Sequence, residues 1–319
     1  MSKHLSPAET ATWLKERDIF LIITHRRPDG DTLGSAGALA EALHEQGKTA
    51  RILGNPETTL RYLRFVEQYH SSDSYVPEHI IAVDTATTDL FPENAERYKG
   101  SVSFCIDHHV SNSFYADNVC LAAERASCGE IVYDILMEMA GKISPTVAEC
   151  LYVALSTDTG CFSFSNTTAN TLFVASQLVE AGAPNKELNK VLFRTKSHGR
   201  ISMEGMITSD IEYSFDDKVA VASITREMMD ESGATEDDLD DIAALPGSIE
   251  GVCIGITIRE LKSAHDCKIS VRTRSPYDAQ MICSHFGGGG HKLAAGCTVG
   301  KSIPEVKEAL HEVLSGMFR

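Results

Sequence analysis

Four stretches of the chain gather carboxylates and imidazoles in patterns that suit metal chemistry. His25, Asp29 and Asp31 stand in THRRPDGDTLGS, Asp84 ends HIIAVD, Asp107, His108 and His109 close SVSFCIDHH, and Asp158 lies in STDTGCFSFSNTT. Neutral imidazoles and carboxylates offer nitrogen and hard oxygen ligands to a divalent ion. Taken singly, each stretch has a plain structural reading: PDGD as a turn and helix cap, Asp84 or Asp107 as the cap of a turn, Asp158 as part of a polar turn. Taken together, Asp29, Asp31, Asp84 and Asp158 carry the negative charge that two divalent cations would neutralise, and His25 and His108 add nitrogen donors. No cysteine joins the set, so manganese or magnesium suits it better than structural zinc, and the imidazoles favour manganese over magnesium, with cobalt as a further alternative. Two such ions about 3.5–4 Å apart share a water, lower its pKa and steady the attacking and leaving oxygens of a displacement at phosphorus.

Those residues need elements that bring them together. IFLIIT at 19–24 reads as a buried strand, and a helix should follow, with Asp31 as its cap, Leu33, Ala36, Ala40 and Leu43 at helical spacing and Gly47 as its stop. ARILG, HIIAVD and SVSFCID are further strand-like runs, and 127–140, 145–157 and 168–182 read as helices. The alternation predicts an α/β fold, a mostly parallel sheet flanked by helices, with ligands at the carboxyl ends of its strands. Asp158 would sit at a helix C-terminus, where a cation would offset its conflict with the backbone carbonyls.

At 319 residues the chain exceeds what one core usually supports. The pattern turns polar and basic at 186–205, which predicts a catalytic domain over 1–190, a linker over 191–205 and a smaller α/β C-terminal domain over 206–319. That second domain should hold strands near 211–224, 251–259 and 267–274 and a last helix at 304–317, with the acidic run 230–241 as a solvated face. A formal charge of −16 argues against long duplex nucleic acid, whose binding draws on many Lys and Arg contacts. No apolar run approaches the roughly 20 residues of a membrane span and the N-terminus lacks a signal-peptide centre, so a cytoplasmic location is expected. Nine scattered cysteines without a Cys-x-x-Cys pair predict reduced thiols.

In the C-terminal half, GGGGHKLAAG at 287–296 places Gly287 to Gly290 where backbone amides can approach an anion, with His291 next to them. Arg272 and Arg274, two apart in ISVRTRS, would point the same way and hold a phosphate or stack on a base.

HRRPDGD, AVD, DHH and STDTG, in that order, resemble the motifs of the DHH phosphoesterase family, and GGGGHKLAAG resembles the glycine-rich signature of its associated C-terminal domain. The resemblance implies that His25 and Asp29 bind one metal, Asp31 and His108 the other, and Asp84 and Asp158 both. It implies that Asp107 orients its neighbours, that His109 binds the scissile phosphate or protonates the leaving oxygen, and that Gly288, Gly289, Gly290 and His291 grip substrate. The two-domain layout resembles the subgroup of nanoRNases and 3'-phosphoadenosine 5'-phosphate phosphatases. Partners implied are short RNA oligonucleotides and nucleotide bisphosphates, with neither duplex DNA nor membrane and with room for a homodimer. The competing expectations are an inorganic pyrophosphatase or polyphosphatase, which usually carries a different, Lys- and Arg-rich C-terminal domain, a long-strand exonuclease, which needs an extra domain, and a nucleotide-binding protein without turnover.

Overall fold

A computed structural model describes residues 2–239, 242–261, 263 and 265–318. The chain divides between Thr195 and Lys196 into two compact units. In the first, six parallel strands, β1 (Lys3–His4), β2 (Phe20–Ile23), β3 (Ala50–Ile52), β4 (His79–Val83), β5 (Phe104–Asp107) and β6 (Asn118–Leu121), form one sheet in the order β1-β6-β5-β4-β2-β3. Between His79 at the start of β4 and Asp107 at the end of β5, its central strands are apolar because both faces are covered. Phe20 and Ile22 turn into one core cluster and Leu21 and Ile23 into another, as the two-residue period of a strand requires.

The helices of this unit are α1 (Pro7–Lys15), α2 (Gly30–Glu45), the single turn α3 (Leu60–Leu63), α4 (Cys128–Ala140), α5 (Pro145–Asp158), α6 (Ala169–Glu180) and α7 (Asn185–Asn189). α2 starts one residue before the expected cap: Asp29 is its N-cap, accepting from the Thr32 amide at 3.1 Å, and Asp31 lies inside the first turn. α2 and α5 cross in opposite directions at a distance only glycine permits. A Cβ on Gly34 would stand 2.5 Å from the Cys150 carbonyl oxygen, and one on Gly30 would collide with Thr157. This crossing brings Asp31, at the start of one helix, beside Asp158, at the end of the other. Gly34→Ala is therefore expected to lower stability by about 1–3 kcal/mol through overpacking and to weaken metal affinity with it. Thermal melts and calorimetric metal titration of the variant check both.

The second unit holds a mixed six-stranded sheet in the order β11-β12-β10-β9-β8-β7, from β7 (Glu212–Ser214), β8 (Val219–Ile224), β9 (Ile254–Glu260), β10 (Cys267–Thr273), β11 (Gly289–His291) and β12 (Ala294–Val299). Among the described residues of this sheet, only β8 and β9 pair in parallel. Its helices are α8 (His198–Ser209), α9 (Arg226–Ser232), α10 (Ala279–Ser284) and α11 (Ile303–Ser315).

Several expectations change here. The run 211–224 is a hairpin, broken where Phe215, Asp216 and Asp217 all take positive φ. The expected linker 191–205 holds most of a π-helical turn, Lys190–Arg194, and the start of α8, which begins four residues after that turn behind the Ser197 cap. Arg274 lies one residue past the end of β10, with its amide on the Cys253 carbonyl at 2.9 Å, and its Nη2 donates to the Gly247 carbonyl at 3.1 Å, beside the Arg272 Cβ. Of the acidic run, α9 covers the start and a short helical turn covers Glu236–Leu239; residues 240 and 241 lie outside the described residues. Among the described residues, no helix is long and apolar enough to cross a membrane.

Candidate metal centre

β5, β4 and β2 are neighbours in the sheet, and each runs out at its carboxyl end into one of the sequence clusters. His25 follows β2, Asp84 follows β4, and Asp107 ends β5 with His108 and His109 beyond it. The helix crossing adds Asp31 and Asp158. Three groupings result in which one ligand atom from each residue lies within 4.8 Å of the others: His25–Asp29–Asp84, Asp31–His108–Asp158 and Asp84–His108–His109.

The separations are too long for hydrogen bonds and short enough to share an ion. His25 Nε2 is 3.9 Å from Asp29 Oδ1 and 3.7 Å from Asp84 Oδ2. His108 Nε2 is 3.7 Å from Asp31 Oδ2, 3.4 Å from Asp84 Oδ1 and 3.7 Å from Asp158 Oδ2. Asp84 thus turns one oxygen to each imidazole, while Asp158 joins the His108 group and not the His25 group.

Two observations test whether these residues fit a divalent cation. First, Asp84 is 3% exposed and its Oδ1 has no hydrogen-bond partner, although Thr32 Oγ1 donates to Oδ2 at 2.6 Å. A buried carboxylate oxygen left bare is costly unless a cation meets it. Asp84 also holds φ at 53°, a region that residues other than glycine rarely adopt. Second, each ligand imidazole has its Nδ1 against a carbonyl: His25 on Arg26 O at 2.7 Å and His108 on Arg125 O at 3.2 Å. Donation from Nδ1 leaves Nε2, aimed at the carboxylates, as the atom that offers a lone pair to a metal once its own proton is lost, the arrangement of a metal-ligating histidine. The residues fit a pair of divalent cations.

Asp31 and Asp107 are buried by other means. Asp31 accepts from the Cys128 amide at 2.6 Å and the Gly129 amide at 2.9 Å, at the positive end of α4, and from Ser35 Oγ at 3.1 Å. A Cβ on Gly129 would meet Ala154 at 2.5 Å, so glycine lets α4 bring those amides in. Asp107 Oδ1 accepts from the His108 amide at 2.9 Å, the His109 amide at 3.2 Å and His109 Nδ1 at 2.7 Å, and Oδ2 accepts from Asn112 Nδ2 at 2.6 Å. With its Nδ1 engaged there, His109 presents Nε2 elsewhere.

Burial opposes charge on both ligand imidazoles, but the carboxylates prevail: Asp84 and Asp29 raise His25 to about 9, and Asp84, Asp31 and Asp158 raise His108 to about 10. Burial and the adjacent carboxylates push Asp31 well above its usual range and lift Asp158 to about 6. In the metal-free protein at neutral pH, protons on the two imidazoles therefore stand in for the cations. Metal must displace them, so apparent affinity is expected to rise about tenfold per pH unit for each proton released between pH 7 and 9. Calorimetry in buffers of different ionisation enthalpy counts those protons, and a pH-independent affinity would contradict the site. The metal-free fold should behave oppositely. A pKa raised on folding stabilises fully below the unfolded value of about 6.5, and that stability is lost as pH climbs through 9 to 10.

The remaining expected residues belong to the second unit. Gly289, Gly290 and His291 form β11, paired with Ala294–Gly296. Part of the glycine run is explained by this pairing: a Cβ on Gly288 would collide with Cys297, and one on Gly290 would lie 2.7 Å from Ala294 O. Gly289 faces open space and His291 is exposed. Arg272 is half-buried, its Nη1 on the Val271 carbonyl at 3.1 Å.

Thr32, Asn112, the α4 amides and the Arg125 carbonyl escaped the sequence reading. Thr32 and Asn112 sit inside the PDGDT and DHHVSN stretches, so proximity was a signal. The amides and the carbonyl carry none, because any residue supplies them.

The profile of the DHH family, N-terminal domain, matches residues 19–155, and that of the DHHA1 domain matches residues 216–316. The bifunctional oligoribonuclease and PAP phosphatase NrnA of Thermus thermophilus is 30% identical over 302 residues, covering 92% of this chain and 90% of that protein. Its namesake in Bacillus subtilis is 28% identical over 289 residues, covering 88% and 90%. An exopolyphosphatase-related protein from Bacteroides fragilis, of known crystal structure, superposes with a TM-score of 0.88 at 23% identity over 98% of this chain and 96% of that one, a likeness of fold.

Proposed function

This chain belongs to the DHH family, whose members are metal-dependent phosphoesterases, and from that premise we propose that it hydrolyses short oligoribonucleotides to mononucleotides and removes the 3'-phosphate of adenosine 3',5'-bisphosphate. The observation that carries the reading is Asp84: buried, strained and bare at Oδ1, between one set of ligands on each side. The names borne by relatives aligned over about nine-tenths of the chain support the substrates. The DHHA1 match over residues 216–316 favours them over inorganic pyrophosphate.

His25 and Asp29 would hold one cation, Asp31, His108 and Asp158 the other, and Asp84, which belongs with both imidazoles, would serve each. When bound, the two ions supply a nucleophilic water at neutral pH and offset charge on the phosphoryl oxygens. Manganese is the ion proposed, since two imidazoles soften an otherwise oxygen-rich set. Thr32 fixes the Asp84 carboxylate, and the Arg26 and Arg125 carbonyls fix the two imidazoles. Asp107 orients His109 and raises its pKa through that bond, and His109 delivers a proton to the leaving oxygen. In the second unit, His291 and the amides near the open Gly289 take substrate phosphate, with Arg272 and Arg274 assisting.

A time course with manganese-loaded protein on 5'-labelled dinucleotides and longer RNA, beside adenosine 3',5'-bisphosphate and pyrophosphate, tests the proposal. Mononucleotide and 3'-phosphate release are expected. Turnover of pyrophosphate alone would overturn the substrate assignment.

A further inference from the structure

Beyond the metal ligands, the first unit carries a group of cations its own fold does not use. Lys186 and Lys190 are four residues apart across α7, and Arg194 is four further on, across the π-helical turn Lys190–Arg194. At these spacings the three side chains share one helical face. All three are exposed, and none pairs with a carboxylate among the described residues. In a chain with a formal charge of −16 that is unexpected. The next two cations along the chain, Lys196 and Arg200, both reach Glu204 at 2.7 Å. The helix dipole accounts for Arg194 at the end of the π-helical turn. Like charges four apart repel, so the stripe carries a cost in stability.

The stripe is tethered to the helix that carries Asp158. Asn189 Nδ2 donates to Tyr152 Oη at 3.1 Å, and the Tyr152 ring lies 5.8 Å from that of Phe162. Tyr152 is six residues before Asp158 on α5, about 9 Å along the axis. Arg194 also acts electrostatically on Cys161, three residues past Asp158, countering the burial that raises its thiol.

On the same turn stands an exposed aromatic ring. Phe164 is 58% exposed, yet it is not loose: its amide donates to Thr159 O at 3.0 Å, and its ring rests where a side chain on Gly160 would be. Asn166 Nδ2 pins the turn to the Asp158 carbonyl at 3.1 Å and to Ala126 O at 3.2 Å. A lone exposed phenylalanine needs no explanation. A held ring on the turn that follows Asp158, with unpaired cations on a helical stretch tied to the same α5, is the pairing that single-stranded nucleic acid requires: a face for bases and charge for the backbone.

We propose that Phe164 and the stripe Lys186, Lys190 and Arg194 form a subsite for the RNA strand that continues from the scissile phosphate, the ring stacking the adjacent base and the cations taking phosphates farther along. The proposal rests on the oligoribonuclease reading and adds a length preference to it. A dinucleotide engages the ring alone; longer strands engage the stripe as well.

The test compares manganese-loaded wild type, the double variant Lys190→Ala with Arg194→Ala, Phe164→Ala and Phe164→Trp on a dinucleotide and a pentanucleotide. For the double variant, KM on the pentanucleotide should rise about tenfold at unchanged kcat, and the slope of log KM against log salt should fall by roughly 0.7 for each phosphate that is no longer neutralised. Its dinucleotide KM should move by less than about twofold. Phe164→Ala should raise KM about tenfold on both lengths, and Phe164→Trp should restore it. Equal shifts on both lengths in the double variant, or wild-type constants in Phe164→Ala, overturn the subsite while RNA cleavage by wild type leaves the oligoribonuclease reading intact. No mononucleotide release by wild type from either RNA takes both down.

Discussion

Asp84→Asn is expected to reduce turnover about a thousandfold or more while the chain remains folded. Substitutions of residues that only orient a metal's ligands already cost 10–100-fold, and Asp84 is proposed to touch both ions. Asparagine is the informative replacement because it tolerates the left-handed backbone at φ 53° and keeps the size of the side chain. The amide oxygen can still accept from Thr32 Oγ1, which leaves the amide nitrogen toward His108 Nε2, 3.4 Å from the present Oδ1. A donor there meets the very atom that should bind metal. Calorimetry should show manganese affinity collapsing at both positions, and the manganese-dependent rise in melting temperature should disappear. Circular dichroism identical to wild type would exclude unfolding as the cause. A variant that folds cleanly and turns over at the normal rate would remove the two-ion proposal altogether.

How far the site could be read from sequence follows from which interactions are local. The apolar runs before His25, Asp84 and Asp107 fixed strand ends, and a parallel sheet gathers such ends on one edge, so those three clusters could be expected to converge. Asp158 is different. Its helix reaches the site because Gly30 and Gly34 let α2 and α5 touch backbone to backbone, and the pattern of small residues does not state which helix is the partner. Asp31 looked like a helix cap, since PDGD offers two candidates; Asp29 took that part and Asp31 went to the amides of α4, nearly a hundred residues on. The short strands β1 and β6 lacked the length to show a period, and β11 was hidden because glycines carry no strand propensity. Arg274 fell outside its strand for want of one residue, an offset smaller than any boundary drawn from pattern alone.

His109→Gln should lower kcat on RNA by 10²–10⁴-fold, the range of a lost general acid, with both manganese ions retained. The hydrogen bond from His109 Nδ1 to Asp107 is the main influence on this imidazole and outweighs burial, so its pKa is raised. The sign follows: the group donates a proton, its working form exists below that raised pKa, and kcat should decline as pH climbs through it. His109→Gln should remove this alkaline limb. Shifting the limb through Asp107→Asn is a poorer test, because Asp107 also accepts from two backbone amides and Asn112, and an amide nitrogen in its place would face a donor. The leaving group separates the roles better. A ribose oxygen departs as a strongly basic alkoxide and needs the proton, whereas a nitrophenolate departs without one. The His109→Gln loss should therefore shrink to a few-fold on a nitrophenyl phosphodiester of the same nucleotide. If the loss is as deep on that substrate as on RNA, His109 acts by holding the phosphate, and the proton reaches the leaving oxygen from elsewhere.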